Sequence, residues 1–284
     1  MKIALFDSAG NPVYSALEVA ALRIAIAGIV LLPVTFRSLK KIDRSKWFSI
    51  LAIGVFGNML PAYLFTSAQT EIPSAIAGML NALTPLFTMI VAALVFKTII
   101  SMRQVSGLAI GLLGALMLAI GGDFERLGFD NDIEWWACSR VVLATLFYGF
   151  SVNILKNKLQ EVPSQAIAAI ALFFVLPPAT VVLAYSDVSL TLMNNPHGLN
   201  GMVAVVVLAA VGTAGALVLF NAIIKKTNAL TASSVTYIIP VFAAMWGWIF
   251  GEELTTIHLL GGAVILFGVA LVNGVGKKKV GHFN

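Results

Sequence analysis

The sequence predicts an all-α protein, a polytopic membrane helix bundle, and three observations support this. Of the 284 residues, 59% are hydrophobic. Only 11% are charged, compared with roughly 25% in a soluble globular domain. The apolar residues form long runs between short polar breaks, without the polar-in, apolar-out alternation of a membrane barrel. A soluble fold cannot bury so much apolar surface, so the composition disfavours a water-soluble enzyme and a nucleic-acid-binding domain.

Nine apolar runs are long enough to cross a bilayer. A transmembrane helix needs about 20 apolar residues to cross about 30 Å of hydrocarbon. We place the spans at about 15–34, 47–68, 74–96, 104–121, 135–155, 164–185, 200–222, 230–250 and 258–275. The chain is therefore expected to be a multi-pass membrane protein.

The segments between these spans alternate in charge, which predicts their side of the membrane. One set, which includes the 277–279 lysine tail, holds fourteen basic residues and two acids. The other set holds ten acids and only two basic residues, Lys2 and Arg126. Basic loops stay in the cytoplasm. We therefore expect the plasma membrane (the inner membrane of a bacterium) as the location, with the N-terminus outside and the C-terminus in the cytoplasm.

An internal repeat relates the two halves of the chain. Segment 57–87 aligns with 212–242 without a gap at an offset of 155, which matches Gly57 with Gly212, Pro85 with Pro240 and Phe87 with Phe242. Glu71 then falls opposite Lys226, and Lys97 opposite Glu252, so equivalent loops carry opposite charge. Opposite charge is expected if the two copies are inverted across the membrane, a construction common among secondary transporters.

The same offset divides the chain and predicts one further helix. We expect a first repeat over 1–121, a second over 135–276 and a basic cytoplasmic tail over 277–284. Two inverted five-helix repeats require ten spans, whereas nine are present, and the counterpart of 135–155 would fall before Met1. A wrongly assigned start and a genuine truncation both account for this difference.

Two segments resemble EamA-type transporters of the drug/metabolite transporter superfamily. The stretch ALEVAALRIAIAGIVLLP (16–33) resembles the second helix of that family, and 219–272 resembles its closing pair of helices. The hallmarks of the closing pair are Pro240, the Gly251-Glu252 pair and glycines 261 and 268. The resemblance implies ten helices around a central pathway and a secondary transporter of small metabolites. Amino-acid-like or related organic solutes, with efflux as the direction and alternating access as the mechanism, are the expectation.

Two ionisable residues inside the first span are candidates for a transport role, because charges within a bilayer are costly. Arg23 lies eight residues into the span, and its planar fork of donors suits a carboxylate or phosphate. An ion pair with another helix, or with Glu18, is the structural alternative. Glu18 is a candidate for proton coupling, and an exposed or arginine-paired acid near the outer surface is its alternative.

Polar side chains at membrane depth predict a wet pathway for small metabolites. The candidates for the substrate path are Arg23, Asn58, Tyr63, Asn81, Thr84, Tyr148, Asn221, Thr236 and Tyr237. Pro85 and Pro240 lie near the centres of their spans, and each removes a backbone donor, so both are candidates for helix breaks at the site. For each polar residue taken alone, an interhelical hydrogen bond is the alternative.

Other functions find little support in the sequence. The three histidines lie at loops, span edges or the tail, so we expect no metal site, no cofactor and no enzymatic activity. The expected partners are a small-molecule substrate and the lipid bilayer, and no nucleic acid. Glycines 107, 111 and 114 are explained by close helix packing, and a homodimer is the alternative. An inactive, truncated paralogue or a membrane protein without transport activity remains the alternative function.

Overall fold

The computed structural model describes residues 2–7, 9–72, 74–120, 135–239 and 256–273, and within these ranges the regular structure is helical. A single bridge between Phe6 and Pro12 is the exception among them. The helices are α1 (Lys2–Leu5), α2 (Ala16–Leu39), α3 (Trp47–Gly54), α4 (Leu60–Ala68), α5 (Ser74–Asn81), α6 (Thr84–Leu94), α7 (Met102–Ile120), α8 (Trp135–Lys158), α9 (Ser164–Ala184), α10 (Val188–Asn194), α11 (Gly198–Ala209), α12 (Ala216–Lys226), α13 (Ala229–Ser234) and α14 (Thr256–Asn273). The prediction of an all-α protein is confirmed.

Two pairs of these helices are continuous through a widened turn. A first π-turn (Val55–Met59) joins α3 to α4, and a second π-turn (Ala210–Gly215) joins α11 to α12. A π-turn inserts one extra residue into a helix without ending it, and such turns are frequent at functional sites. Each joined pair therefore crosses the protein as one long helix with a local irregularity.

Five helical segments are long and apolar enough to span a membrane, and they coincide with five predicted spans. They are Ala16–Leu39, Arg44–Ala68, Trp135–Lys158, Ser164–Ala184 and Gly198–Lys226. Three shorter apolar helices, at Thr84–Leu94, Met102–Met117 and Leu259–Val272, overlap three more predicted spans. The remaining predicted span, 230–250, is described only as far as residue 239, so Pro240 lies outside the described residues.

The predicted span 74–96 is divided into two helices. Helix α5 ends at Asn81 and α6 begins at Thr84, which places Pro85 in the first turn of α6. Proline is tolerated there because the first N–H groups of a helix have no intrahelical partner. The division leaves the polar side chains of Asn81 and Thr84 at an interruption of regular helix, and the Thr84 hydroxyl donates to Asn81 Oδ1 at 3.2 Å.

Glycines bring α7 and α14 into backbone contact. A methyl group built on Gly107 would lie 2.8 Å from the Gly268 carbonyl oxygen, and one on Gly114 would lie 2.7 Å from the Ile265 nitrogen. These distances are too short for any side chain, so only glycine permits this approach. The glycines of α7 are therefore used in an interface within the chain.

The remaining helices surround a common space. Helix α9 forms much of the core, since Ile167, Ile170 and Leu172 are fully buried, and it packs against α2, α3 and α12. Helix α8 contacts α4, α6 and α12, while α2 contacts α4 and the second π-turn. These contacts close a ring of helices around the cavity described next.

Candidate functional site

A cavity of about 570 Å³ lies inside this ring of helices. Residues of α2, α4, α8 and α12 line it, together with both π-turns and the break between α5 and α6. Its volume falls in the range of 300–1,000 Å³ typical of small-molecule sites. The space is large enough for a metabolite of amino-acid size.

The two π-turns form matching parts of the cavity wall. In the first, Asn58 Nδ2 donates to the Ile53 carbonyl oxygen at 3.3 Å. In the second, Thr213 Oγ1 donates to the Leu208 carbonyl oxygen at 3.1 Å. Each side chain thus reaches back five residues to a carbonyl group that the irregular turn exposes. The donors and the acceptors are both related by the offset of 155.

The same offset relates most of the other lining residues. Each described residue that lines the cavity between positions 57 and 84 has a counterpart that also lines it. The pairs are Gly57 and Gly212, Asn58 and Thr213, Ala62 and Leu217, Phe65 and Phe220, Gln69 and Ile224, Asn81 and Thr236, and Thr84 and Ile239. Two independent lists of cavity residues would not agree in this way by chance, so the sequence repeat corresponds to a structural one at the cavity.

Arg23 projects from α2 into the cavity. Its Nη2 donates to Thr213 Oγ1 at 3.3 Å, which connects α2 to the second π-turn. Its Nε is buried and has no hydrogen-bond partner among the described residues. A buried guanidinium that uses so few of its five donors has capacity for another acceptor.

Two amide side chains in the lining also have unused hydrogen-bonding atoms. Asn221 is only 2% exposed, and its Nδ2 has no partner in the described part of the chain. The Gln69 Oε1 is likewise buried and without a partner there. Buried polar atoms are normally hydrogen-bonded, so these atoms are unsatisfied polar groups of residues that line the cavity.

A profile of the EamA-like transporter family matches residues 4–120 and 135–274. The chain belongs to this family. It is a multi-pass membrane transporter and not an enzyme. The family assignment that the sequence resemblance implied is confirmed.

Relatives of this EamA-like transporter cover most of its length. The uncharacterized inner membrane transporter YedA of Escherichia coli K12 is 28% identical over 90% of this chain and 81% of its own. A probable amino-acid metabolite efflux pump of Salmonella typhimurium is 24% identical over 86% of this chain and 83% of its own. A solved crystal structure aligns with this chain at a TM-score of 0.69 and 17% identity. The alignment covers 94% of this chain and 89% of the other. At this identity the structure supports the fold alone.

Most of the residues predicted for the substrate path line the cavity of this EamA-like transporter. Those in the lining are Arg23, Asn58, Asn81, Thr84, Tyr148, Asn221 and Thr236. Tyr63 lies outside the lining and is 45% exposed on the surface of the bundle. Tyr237 is fully buried, and its hydroxyl donates to the Leu108 carbonyl oxygen of α7 at 3.1 Å. Pro85 is buried but lies outside the lining.

Glu18 occupies the first turn of α2, away from the cavity lining. Its carboxylate accepts a hydrogen bond from the Ser15 backbone N–H at 2.8 Å, and the Ser15 hydroxyl accepts one from the Glu18 N–H at 3.2 Å. This reciprocal arrangement is a capping box, which satisfies two backbone donors at the start of a helix. The described residues contain no ion pair between Glu18 and Arg23, because Arg23 is turned toward Thr213.

Three polar lining residues escaped the sequence-based prediction: Gln69, Ser151 and Thr213. Ser151 lies in a span that already supplied a candidate, and nothing in the pattern separates it from residues that face lipid. Gln69 lies one residue beyond the predicted span 47–68, so a search for polar groups at membrane depth does not include it. Thr213 had a usable signal, because it lies 155 residues after Asn58. Had the repeat offset been applied to each candidate, Thr213 would have been found.

Arg140 is the second arginine within a span, and it forms an ion pair with Glu71. Neither residue lines the cavity. Among the described residues, no group of three or more histidine, cysteine, aspartate or glutamate side chains is arranged to hold a metal ion. The charged chemistry that the described residues bring to the cavity is therefore that of Arg23.

Proposed function

We propose that this EamA-like transporter is a secondary transporter that moves small amino-acid-like or related organic solutes by alternating access, in the direction of efflux. The observation that carries the proposal is the cavity itself, since its two π-turns are related by the repeat and its lining residues include unsatisfied polar atoms. Relatives described as an amino-acid metabolite efflux pump and a terminal-alkyne amino-acid exporter support the substrate class and the direction.

We further propose that the two halves, 1–121 and 135–276, are inverted five-helix repeats, with 277–284 as a basic tail. The paired π-turns and the opposite loop charges, Glu71 against Lys226, support this arrangement. Alternating access follows from such a construction, since rocking one repeat against the other opens a shared site to each side in turn. Substrate would bind in the cavity that both π-turns line.

The location and assembly are further parts of the proposal. The inner-membrane description of YedA supports the bacterial inner membrane, and the basic loops favour an external N-terminus and a cytoplasmic C-terminus. A homodimer stays a prediction, and the glycines of α7 are not its interface because they pack against α14. Scanning tags for protease access in intact cells would test the orientation.

Flux in reconstituted vesicles is the decisive experiment. Liposomes that contain the purified protein and are loaded with a radiolabelled amino-acid mixture should release the label faster than protein-free liposomes loaded in the same way. The rate of release should saturate as the solute concentration is raised. Arg23→Ala should abolish this flux while leaving the thermal unfolding of the purified protein unchanged. Absence of flux for every solute in the wild-type protein would contradict the proposal and favour an inactive paralogue or a non-transport role.

Proton coupling through Glu18 is a separate proposal with its own test. Glu18→Gln keeps a hydrogen-bond acceptor for the Ser15 N–H but cannot take up a proton in the transport cycle. If Glu18 couples a proton, the variant should retain folding and lose the pH dependence of flux. Unchanged pH dependence would assign Glu18 to the capping box alone.

A further inference from the structure

The described lining of the cavity contains a positively charged side chain and no negatively charged one. Arg23 carries the only formal charge among the described residues that line it. The part of the neighbouring span that lies beyond them, 240–250, contains no acidic residue in its sequence. Glu18, the one acid within a predicted span, is held by Ser15. Within the described part of the chain, the cavity lining therefore carries a single positive charge, that of Arg23.

Arg23 is placed to receive an anion. Its hydrogen bond to Thr213 fixes one end of the guanidinium, and its Nε has no partner in the described residues. A guanidinium presents a planar fork that matches the two oxygens of a carboxylate. An unpaired charge in a membrane interior is strongly unfavourable, so the binding of an anionic group there removes an existing cost.

The other described residues of the lining are uncharged and include both polar and apolar side chains. The Asn221 Nδ2 and the Gln69 Oε1 offer one unused donor and one unused acceptor, which suit an amide or hydroxyl group. Leu208, Leu217 and Phe220 supply an apolar surface. No acidic side chain among the described lining residues is available to an ammonium group.

We infer that the substrates of this cavity are organic monoanions: a carboxylate binds Arg23, neutral polar groups meet Asn221 and Gln69, and an apolar body packs against the leucine and phenylalanine side chains. The inference rests on the proposed transport function and narrows its substrate class. Amino acids whose amine is acylated fit this description. Free amino acids fit less well, because their ammonium group would lose its hydration without gaining a counter-charge.

Leucine and three of its derivatives test this inference, because the four compounds share a side chain and differ mainly in charge. N-acetyl-leucine is a monoanion at pH 7, leucine is a zwitterion, leucinol is a cation and N-acetyl-leucinamide is uncharged. Binding of each to the purified, detergent-solubilised protein would be measured by isothermal titration calorimetry. N-acetyl-leucine should bind at least about tenfold more tightly than each of the others. Leucinol and N-acetyl-leucinamide lack the carboxylate and leave the Arg23 charge unpaired, and leucine would bury an ammonium group without a counter-charge.

Variants of α2 assign the preference to Arg23. Arg23→Gln should reduce the affinity for N-acetyl-leucine to that for N-acetyl-leucinamide, whereas Arg23→Lys, which keeps the charge, should retain part of the preference. The matched control is Arg37→Gln, which removes a positive charge from the exposed end of the same helix about 21 Å away. The control should leave all four affinities unchanged, and melting temperatures would show that each variant is folded.

Two results would overturn the inference: leucine or leucinol binding as tightly as N-acetyl-leucine, or an Arg23→Gln variant that is folded and keeps the preference. Flux measurements separate this failure from that of the proposed function. If vesicles transport leucine but the monoanion neither binds nor moves, transport stands and the monoanion inference is wrong. If N-acetyl-leucine binds through Arg23 but no solute moves, the site is an anion site and the proposed transport is wrong.

Discussion

The two walls of the cavity that contain the π-turns have the same backbone conformation, but their side chains differ in chemistry. The first wall is the segment 47–69 around its π-turn, and the second is 198–226 around its own. Where the first wall presents the amides Asn58 and Gln69, the second presents Thr213 and Ile224. The repeat therefore sets where the cavity lies, and the divergence of side chains between the copies makes the binding site asymmetric.

The walls also differ in how tightly they are packed. A methyl group on Gly54 of the first wall would lie 2.5 Å from the Ala171 carbonyl oxygen, while its counterpart in the second wall is already Ala209. A methyl group on Gly57 would collide with Ser151 Oγ, whereas one on Gly212 meets only a terminal methyl group of Leu208 at 3.1 Å. The first wall is fixed against neighbouring helices, and the second has room to adjust.

The largest effect is expected for Gly54→Ala. The added methyl group meets a backbone oxygen of α9 that cannot rotate away, so we expect the variant to lose about 1–3 kcal/mol of stability, as overpacked cores do. The reverse change in the second wall, Ala209→Gly, should cost only about 1 kcal/mol through the lower helix propensity of glycine. Thermal unfolding of the detergent-solubilised variants measures both, and equal losses would remove the difference in packing between the walls.

The next effect distinguishes the two cavity glycines. Gly57→Ala should displace Ser151 and reduce flux, while Gly212→Ala should leave flux close to that of the wild-type protein, because the Leu208 side chain can change rotamer. Removing the Ser151 hydroxyl in Gly57→Ala/Ser151→Ala should restore part of the flux. This double variant should be non-additive, as expected for residues in contact. Additive losses would show that the two side chains do not compete for the same space.

A smaller effect is expected at Thr213, which accepts the hydrogen bond from Arg23. Thr213→Val keeps the shape of the side chain but removes the hydrogen-bond acceptor for Arg23. The affinity for N-acetyl-leucine should therefore fall by about 2–10-fold, the range of a net hydrogen bond. Thr213→Ser should behave like the wild-type protein.

The matched change in the first wall is Asn58→Leu. Asn58 bonds to the Ile53 carbonyl oxygen rather than to Arg23. It should therefore alter the affinities for N-acetyl-leucine and N-acetyl-leucinamide by the same factor. A changed charge preference in the Asn58→Leu variant, or an unchanged affinity in the Thr213→Val variant, would contradict the inference that Thr213, and not Asn58, positions Arg23 for the anion.

The sequence could predict the depth of a residue in the membrane but not the direction in which it faces. Arg23, Asn58 and Asn221 were predicted because polar groups at depth are costly, and all three line the cavity. Tyr63 met the same criterion, yet it lies 45% exposed because its position on α4 faces away from the ring. An aromatic hydroxyl at depth tolerates several environments, so composition alone does not place it.

The interruptions of the helices were predictable to different degrees. Pro85 indicated a break, since proline lacks the backbone donor, and α6 begins beside it. The residues of the π-turns include no proline and no charged residue; Pro61 follows the first π-turn by two residues, and no proline lies near the second. The π-turns depend on the packing of Gly57 and Gly212 and on side-chain hydrogen bonds to exposed carbonyl groups, which are tertiary properties.

The smallest expected effect concerns the turns that precede the two walls. Before the first wall, Asp43 Oδ1 accepts the Ser45 N–H at 2.9 Å; before the second, the neutral Asn195 Oδ1 accepts the His197 N–H at 2.9 Å. The hydrogen bonds from Ser45 hold the pKa of Asp43 below its usual range. This carboxylate therefore stabilises the fold at pH values above its unfolded pKa, and the stabilisation is lost as the pH falls through the lowered pKa of the folded state.

Exchange of the two turn residues would test this difference directly. Asp43→Asn keeps the acceptor and should remove that part of the acid-induced decrease in melting temperature, with no change at pH 7. Asn195→Asp should add a similar decrease at the entrance to the second wall. Melting temperatures of the three proteins between pH 3 and pH 7 are the measurement. Identical pH profiles for wild-type and Asp43→Asn protein would mean that solvent screening at the exposed turn cancels the contribution of the carboxylate. The two walls would then be entered through equivalent turns.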